Sequence, residues 1–159
     1  MLNQEQNKFN LFSKHFKLKL SIIWVVFVLI DILSKIYAQF YSNIKIVYNS
    51  GVALSLFSKI NVDFILLLIQ FGFGLVVFGF LFISKIQRGL IFNFSLILIS
   101  SGAAGNGINR IINNFANKGF VVTDFIYYPN LFTGNIADIF VVAGVILFAC
   151  FAIKDTFRV

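Results

Sequence analysis

The sequence is poor in the residues that build metal sites and covalent cross-links. It contains one cysteine, Cys150, one histidine, His15, and one proline among 159 residues. A single cysteine excludes an intrachain disulfide and a CxxC metal motif. One histidine, placed beside lysines near the N-terminus, does not favour a zinc site. We therefore expect no metal site.

Charged residues are also scarce, and acidic ones are the scarcest. The chain has 13 Lys and Arg, six Asp and Glu and a net charge of +7, but charged residues form only 12% of it. Soluble domains carry roughly 25% charged residues. The basic residues lie beside apolar runs and form no stripe interleaved with aromatics. They are expected to set membrane orientation and not to bind nucleic acid.

Hydrophobic residues are abundant and occur in long runs. They form 59% of the chain, and the mean hydropathy is +0.91. A bilayer core about 30 Å thick needs roughly 20 mostly apolar residues per helix. The runs predict an all-α membrane protein with one domain over residues 1–159. Its four transmembrane helices are expected at about 18–38, 60–84, 89–108 and 134–153.

The distribution of Lys and Arg predicts how these helices are oriented. Eight basic residues fall on the side that carries both termini and five on the other. Because cytoplasmic segments carry the excess of Lys and Arg, both termini are expected inside. The two mixed segments, at about 39–59 and 109–133, are then outside. The first is rich in β-forming residues and contains the turn signal Asn49-Ser50-Gly51, which predicts a small extracytoplasmic β-rich segment. The second is expected to form a short outer loop or helix.

One acidic residue, Asp31, lies inside the first apolar run. A carboxylate at membrane depth costs roughly 2.5–3.5 kcal/mol on insertion scales. Lys35 follows four residues later, on the same helical face. We interpret the two as an intrahelical ion pair that anchors the helix. Direct involvement of this pair in chemistry is the less favoured interpretation.

Two further acids, Asp124 and Asp138, fall at the same outer side of the predicted topology. Each alone has a simple explanation, as a loop acid and as a helix-start charge. Together, two carboxyl groups in a cleft of low dielectric constant cannot both ionise easily. One proton is then shared, which leaves a base and an acid at neutral pH. This is the equipment needed to activate water against an amide.

Five sequence blocks around these residues resemble the lipoprotein signal peptidases (signal peptidase II), the bacterial aspartic proteases of the inner membrane. Any one block is weak, but five in order, with four predicted helices, are specific. The similar segments are Asp31–Lys35 (family pattern D-x-x-S/T-K), Tyr48–Ser55 (N-x-G-x-A-F/W-S/G), Gly102–Arg110 (G-G/A-x-G-N-x-I/L-D-R), Val121–Ile126 (V-x-D-F/Y) and Asn135–Asp138 (F-N-x-A-D).

Four positions depart from the family pattern. Asn109 stands where the family usually has Asp, Gly134 replaces a Phe, Leu54 replaces an aromatic residue and Thr123 replaces a Val. None of these changes removes a catalytic carboxylate. The change at Asn109 removes a charge beside Arg110 and leaves open how that arginine is held.

The resemblance implies an intramembrane aspartic endopeptidase that removes signal peptides from diacylglyceryl-modified prolipoproteins, cutting before the lipid-modified cysteine. Asp124 and Asp138 would be its catalytic residues, and no cofactor would be needed. Its partners would be these substrates and membrane lipids. The chain would act as a monomer in the bacterial cytoplasmic (inner) membrane, with its active site at the periplasmic face. The resemblance also implies residues that line or support the site: Asn49, Gly51, Asn106, Arg110, Asn135, Asp31 and Lys35.

Two other functional classes fit parts of the sequence. A non-enzymatic, proton-coupled carrier would use Asp31 and Lys35 as a relay. A relay needs polar groups across the full depth of the membrane, whereas the acids here cluster toward the outer end. A membrane scaffold is the third class, and it leaves the membrane-embedded carboxylates unexplained.

Overall fold

The computed structural model describes residues 2–41, 43–51, 63–83, 89–129 and 131–157. Within them the chain forms four helices and four short strands. The helices are α1 (Leu2–Phe40), α2 (Asp63–Ile83), α3 (Leu90–Phe115) and α4 (Ile136–Thr156). The strands are β1 (Val47–Asn49), β2 (Val122–Asp124), β3 (Ile126–Tyr128) and β4 (Phe132–Gly134). The prediction of a mostly helical protein is therefore confirmed.

Two helices, α3 and α4, are long and apolar enough to cross a membrane by length and composition. A shorter apolar helical stretch, Leu67–Phe80, lies within α2. Large apolar side chains are exposed along α4, among them Ile139, Val145 and Ile146. Such a continuous exposed apolar surface is typical of contact with a membrane or a partner.

Two helices extend beyond the apolar runs that predicted them. Helix α1 begins at Leu2 instead of near residue 18, and α3 continues to Phe115 instead of ending near residue 108. Asn109 and Arg110 therefore lie on a helix and not in a loop. Hydropathy marks only the part of a helix that faces apolar surroundings, so polar helical turns at its end escape detection. For the run predicted at 60–84, residues 60–62 and 84 lie outside the described residues.

Helix α3 is the centre of the bundle and contacts α1, α2 and α4. Three of its glycines allow this because each faces a different helix at close range. A Cβ added to them would lie 2.5–2.8 Å from a neighbour: Gly102 from the Ala137 carbonyl of α4, Gly105 from Asp31 of α1, and Gly107 from Phe71 of α2. Small residues let neighbouring helices approach closely, and these three glycines have that role here.

The buried core differs between the two ends of the bundle. Near the start of α3 it contains an apolar cluster, with aromatic rings packed around Leu20, Phe92, Leu96 and Ile97. Near the end of α3 most of the buried side chains are polar or charged. These polar side chains form the candidate site.

The short strands bring distant segments to this polar end. Strand β1 pairs antiparallel with β2, so that Val47 lies opposite Asp124 and Asn49 opposite Val122. Residues on one face of such a pair include the diagonal neighbours, which brings Asn49 and Asp124 together. Strands β3 and β4 form an antiparallel hairpin next to α4. The predicted β-rich segment is confirmed at β1, residues 52–59 of that segment lie outside the described residues, and β2 to β4 were not predicted.

We predict that Gly105→Ala destabilises the bundle and that Gly72→Ala does not. The new methyl group at position 105 would press on Asp31, and overpacking of this kind costs roughly 1–3 kcal/mol. At Gly72 of α2 no atom lies within 4 Å of an added Cβ, and Gly→Ala at a compatible helical site stabilises by about 0.4–1 kcal/mol. Thermal unfolding of the purified protein in detergent measures both effects. Equal melting temperatures for the two variants would contradict the close approach at Gly105.

Candidate active site

Seven polar residues form a continuous chain of hydrogen bonds where α1 and α3 end and α4 begins. All seven are buried, with exposed fractions between 0 and 8%. In order of contact they are Asp31, Lys35, Asn106, Asp138, Asn135, Asp124 and Asn49. The structure thus brings together seven of the nine site residues named from the sequence. Of the other two, Gly51 donates to Asn49, and Arg110 is connected to the group through the Gly51 carbonyl.

The centre of the chain is the first turn of α4, which begins with a capping box. The backbone N–H of Asp138 donates to Asn135 Oδ1 at 3.3 Å, and the backbone N–H of Asn135 donates to Asp138 Oδ2 at 3.1 Å. Such reciprocal bonds satisfy backbone donors at a helix start. The side-chain amide of Asn135 also donates to Asp124 Oδ1 at 2.7 Å. One asparagine therefore connects the two carboxyl groups.

Asp124 is held from its other side by Asn49, the last residue of β1. Asn49 Nδ2 donates to Asp124 Oδ2 at 2.9 Å, while Asn49 Oδ1 accepts from the Gly51 backbone N–H at 2.8 Å. Burial raises the pKa of Asp124, and hydrogen bonds from Asn135 and Asn49 oppose the rise. The Thr133 side chain acts in the same direction as these amides.

Asp138 is connected to the buried ion pair of α1. Asn106 Nδ2 donates to Asp138 Oδ1 at 3.0 Å, and Asn106 Oδ1 accepts from Lys35 Nζ at 2.7 Å. Lys35 Nζ lies 2.7 Å from Asp31 Oδ2, and both side chains are fully buried. Asp31 Oδ1 accepts from the Ala137 backbone N–H at 2.9 Å. The ion pair predicted from the sequence is present, and it joins three helices.

Arg110 is held mainly by oxygen atoms of the backbone. Its Nη1 donates to the carbonyls of Phe120 at 2.5 Å and Ser50 at 3.3 Å. Its Nη2 donates to the carbonyl of Gly51, and its Nε donates to Gln70 Oε1 at 2.9 Å. Arg110 therefore binds α2, the end of the β1 segment and the loop before β2 together. The question left open by the missing Asp at position 109 is answered by these acceptors.

Asn109 has a different partner from Arg110. Asn109 Oδ1 accepts from the Thr123 backbone N–H at 2.7 Å and from Asn113 Nδ2 at 3.3 Å. The Thr123 hydroxyl accepts from Asn113 Nδ2 at 3.0 Å and from Gln39 Nε2 at 3.1 Å. Two of the departures from the family pattern thus belong to one network, which attaches β2 to α3 next to Asp124.

The backbone of Gly134 lies so close to Asp138 that little room is left for a side chain. An added Cβ would lie 3.0 Å from Asp138 Oδ2, and the Gly134 carbonyl accepts from the Phe125 backbone N–H at 3.0 Å. Leu54, another departure from the family pattern, lies outside the described residues.

A narrow cleft and an apolar groove meet at Asn135 and Asp138. The cleft is lined by Asn49, Gly51, Gln70, Asn106, Val122, Asp124, Asn135 and Asp138. The groove has a volume of about 460 Å³ and continues along α4, lined by Ile126, Phe132, Gly134, Asn135, Asp138, Ile139, Val142, Ala143 and Ile146. A polar cleft that opens into an apolar groove suits a substrate with one polar reacting bond and a large apolar part.

One residue of the cleft, Gln70, left a visible signal in the sequence but was not predicted as a site residue. Gln70 is the only side chain capable of strong hydrogen bonds between Phe64 and Ile83. A polar side chain in such a run faces protein or a functional site by default. Thr133 and Asn113 left no comparable signal, because polar residues are common in loops and at helix ends.

A family model and the most similar curated proteins point to the same family. The sequence model of the signal peptidase (SPase) II family matches residues 22–154. The chain is similar to the lipoprotein signal peptidases of Pelagibacter ubique, at 32% identity over 87% of this chain and 88% of that one, and of Chlamydia felis, at 39% over 64% and 59%. A solved bacterial membrane enzyme superposes with a TM-score of 0.70 and 25% identity, over 88% of this chain and 90% of that one.

The coverage of these relatives differs. The aligned part spans 59% of the length of the Chlamydia felis protein and 83% of a similar lipoprotein signal peptidase of Clostridioides difficile, which is 33% identical over 83% of this chain. The matched regions of the family model and of the Pelagibacter ubique protein include the described cleft.

We predict that Asn49→Ala raises the pKa of Asp124 further. Hydrogen bonds to charged groups contribute roughly 1.5–3 kcal/mol, and one pKa unit corresponds to about 1.4 kcal/mol, so the shift should be about one unit or more. Carboxyl ¹³C NMR titration of the purified protein measures it. Because burial already places the folded pKa above the unfolded value, the variant should lose more stability than the parent as the pH rises through that pKa. The exposed Asn43→Ala is the control, and an unchanged Asp124 titration in Asn49→Ala would contradict the contact.

Proposed function

The chain belongs to the signal peptidase II family, and we propose that it processes lipoprotein precursors as an aspartic endopeptidase. Removal of lipoprotein signal peptides is the activity of this family of membrane proteases, and the match over residues 22–154 supports it here. The aspartic chemistry is our proposal for Asp124 and Asp138. The observation that carries it is the double contact of Asn135, which hydrogen-bonds both carboxyl groups at the edge of one cleft.

The proposed reaction uses one carboxylate and one carboxylic acid. The ionised aspartate takes a proton from a water molecule, whose oxygen attacks the carbonyl carbon of the scissile peptide bond. The protonated aspartate gives its proton to the carbonyl oxygen, which forms a tetrahedral intermediate. When that intermediate collapses, the C–N bond breaks and the proton held by the first aspartate passes to the leaving amine. A hydroxyl proton of the intermediate returns to the second aspartate as the carbonyl group of the product acid forms. The asparagines keep both carboxyl groups aligned throughout, because each carboxyl group is bound by two side-chain or backbone amides.

The substrate class that fits the groove is a diacylglyceryl-modified prolipoprotein. Its signal helix and acyl chains are apolar, and its scissile bond is the polar part that must reach Asp138. The groove begins at Asp138 and follows α4 through Ile139, Val142, Ala143 and Ile146, which is one face of the helix at spacings of three and four residues. The reacting bond could then enter the cleft while the lipid remains among apolar side chains.

For the membrane arrangement we propose four spans with both termini in the cytoplasm and the site at the periplasmic face. Exposed apolar side chains on α4 and the excess of Lys and Arg on the terminal side support this arrangement. A single four-helix unit supplies every residue of the site, so we propose that a monomer is active. The carrier alternative is not favoured, because the family match points to a protease and Asp31 with Lys35 lies within the same polar cluster as Asp138.

We predict that Asp124→Asn and Asp138→Asn each lose nearly all cleavage. Removing one general acid–base group typically costs roughly 10²- to 10⁴-fold in rate. The measurement is cleavage of a diacylglyceryl-modified precursor by the purified full chain in detergent. The exposed Asp155→Asn at the far end of α4 is the matched control and should keep its activity. Full activity in either of the first two variants would refute the aspartic mechanism.

We also predict that Ala143→Phe weakens binding of the lipid-modified substrate. The added ring would fill part of the groove, so KM should rise several-fold while kcat changes less. Ala149→Phe is the matched control, because Ala149 is an exposed alanine of the same helix outside the groove lining. Steady-state kinetics with lipid-modified and unmodified precursors measure the difference. An equal effect on both substrates would argue against the groove as the site of the lipid.

A further inference from the structure

The buried ion pair does more than a helix anchor requires. Lys35 Nζ contacts Asp31 at 2.7 Å, and the same ammonium donates to Asn106 Oδ1 at 2.7 Å. An ammonium group can only donate hydrogen bonds. The oxygen end of the Asn106 amide must therefore face Lys35, and the nitrogen end faces Asp138 Oδ1 at 3.0 Å.

The two ends of an asparagine amide have nearly the same shape, so packing alone does not decide which end faces Asp138. If the Asn106 amide were turned over, its NH₂ group would face the ammonium and its oxygen would face the carboxylate. Both contacts would be repulsive. The charge of Lys35 thus determines that Asp138 meets a donor.

We propose that Lys35 is a positioning residue for the peptidase reaction, which fixes the Asn106 amide so that it donates to Asp138. The inference rests on the proposed function, since it assumes that Asp138 takes part in the chemistry. Lys35 acts through Asn106 and does not touch the reacting atoms. Its role is to stabilise the ionised form of Asp138 at the stage of the reaction in which that aspartate carries no proton.

In the described part of the chain, few charged groups surround Asp138 that could stabilise its ionised form. Among the described residues, the charged groups that face it are Asp124 of β2 and Lys35 of α1, with Asp31 beyond Lys35. From α3 it receives Asn106, and α2 contributes the neutral Gln70 to the same cleft. A negative charge on Asp124 opposes the ionisation of Asp138. Among these groups, Lys35 of α1 is the one whose positive charge favours it.

Asp31 also makes a hydrogen bond to α4 that a test of Lys35 must keep intact. Its Oδ1 accepts from the Ala137 backbone N–H and so holds the first turn of α4. Changing Lys35 alone would leave the Asp31 carboxylate buried without its counter-ion and could unfold the bundle. The variant Asp31→Asn/Lys35→Met removes both charges and keeps an oxygen for Ala137.

The test is a double-mutant cycle on the full chain, between this charge-free variant and Asn106→Ala. Asn106→Ala should lower kcat by roughly ten- to a hundredfold, the range expected for one charge-assisted hydrogen bond, with KM changed by less than about threefold. The charge-free variant should lower kcat in the same way and move the pH–rate profile toward higher pH. Because Lys35 acts through Asn106, the combined variant should be no more than about twofold slower than Asn106→Ala alone.

Several outcomes would overturn the positioning role. A folded charge-free variant with the parent kcat and pH–rate profile is one, and effects that multiply in the combined variant are another. If the charge-free variant does not fold, Asn106→Asp provides the test. Lys35 can still bind one carboxylate oxygen of the new residue, while the other oxygen faces Asp138 in place of the donor. This variant should be at least as slow as Asn106→Ala, and parent activity would overturn the inference. A parent chain that fails to cut the lipid-modified precursor, or an active Asp138→Asn, would instead refute the proposed function.

Discussion

The first turn of α4 is the constraint on which the rest of the site depends. A helix start leaves backbone N–H groups without partners in the helix, and in apolar surroundings each unbonded group costs several kcal/mol. Here Asp31 accepts from Ala137, Asn135 accepts from Asp138, and Asp138 accepts from Asn135. The acceptors are the same side chains that form the proposed site. Capping α4 and assembling the two carboxyl groups are therefore one structural requirement.

Side chains and backbone groups that hold the site together also stabilise the buried cations of the bundle. A buried charge must be paired and hydrogen-bonded. Lys35 is paired with Asp31, whereas Arg110 donates to backbone carbonyl oxygens in loops outside the helices and strands. Asn106 and Arg110 are four residues apart and so lie on one face of α3. Through Asn106 this face contacts the ion pair of α1, and through Arg110 it contacts the loops next to Asp124. Helix α3 therefore connects the two halves of the site.

Local patterns in the sequence predicted the parts of the fold and site that local chemistry determines. The Asp31–Lys35 spacing predicted the ion pair, because residues four apart on a helix are neighbours whatever surrounds them. The apolar runs predicted the helices but not the continuation of α3 to Phe115. The polar residues Asn109, Arg110 and Asn113 of that last stretch are buried by tertiary partners. The oxygens that hold Arg110 belong to residues 10 to 60 positions away, and no local pattern specifies them.

Asn109 illustrates what the cluster requires at each position. The Thr123 N–H needs an acceptor, and an asparagine oxygen provides one as an aspartate would. Arg110 needs acceptors in a fixed arrangement, and backbone carbonyls meet that need without adding a negative charge to the buried site. A change from Asp to Asn is therefore compatible with the geometry at position 109. At Asp124 and Asp138 the same change would preserve much of the geometry and remove the exchangeable proton. Geometry alone can be supplied by amides, so the two positions that must remain carboxyl groups are those where the proposed reaction moves a proton.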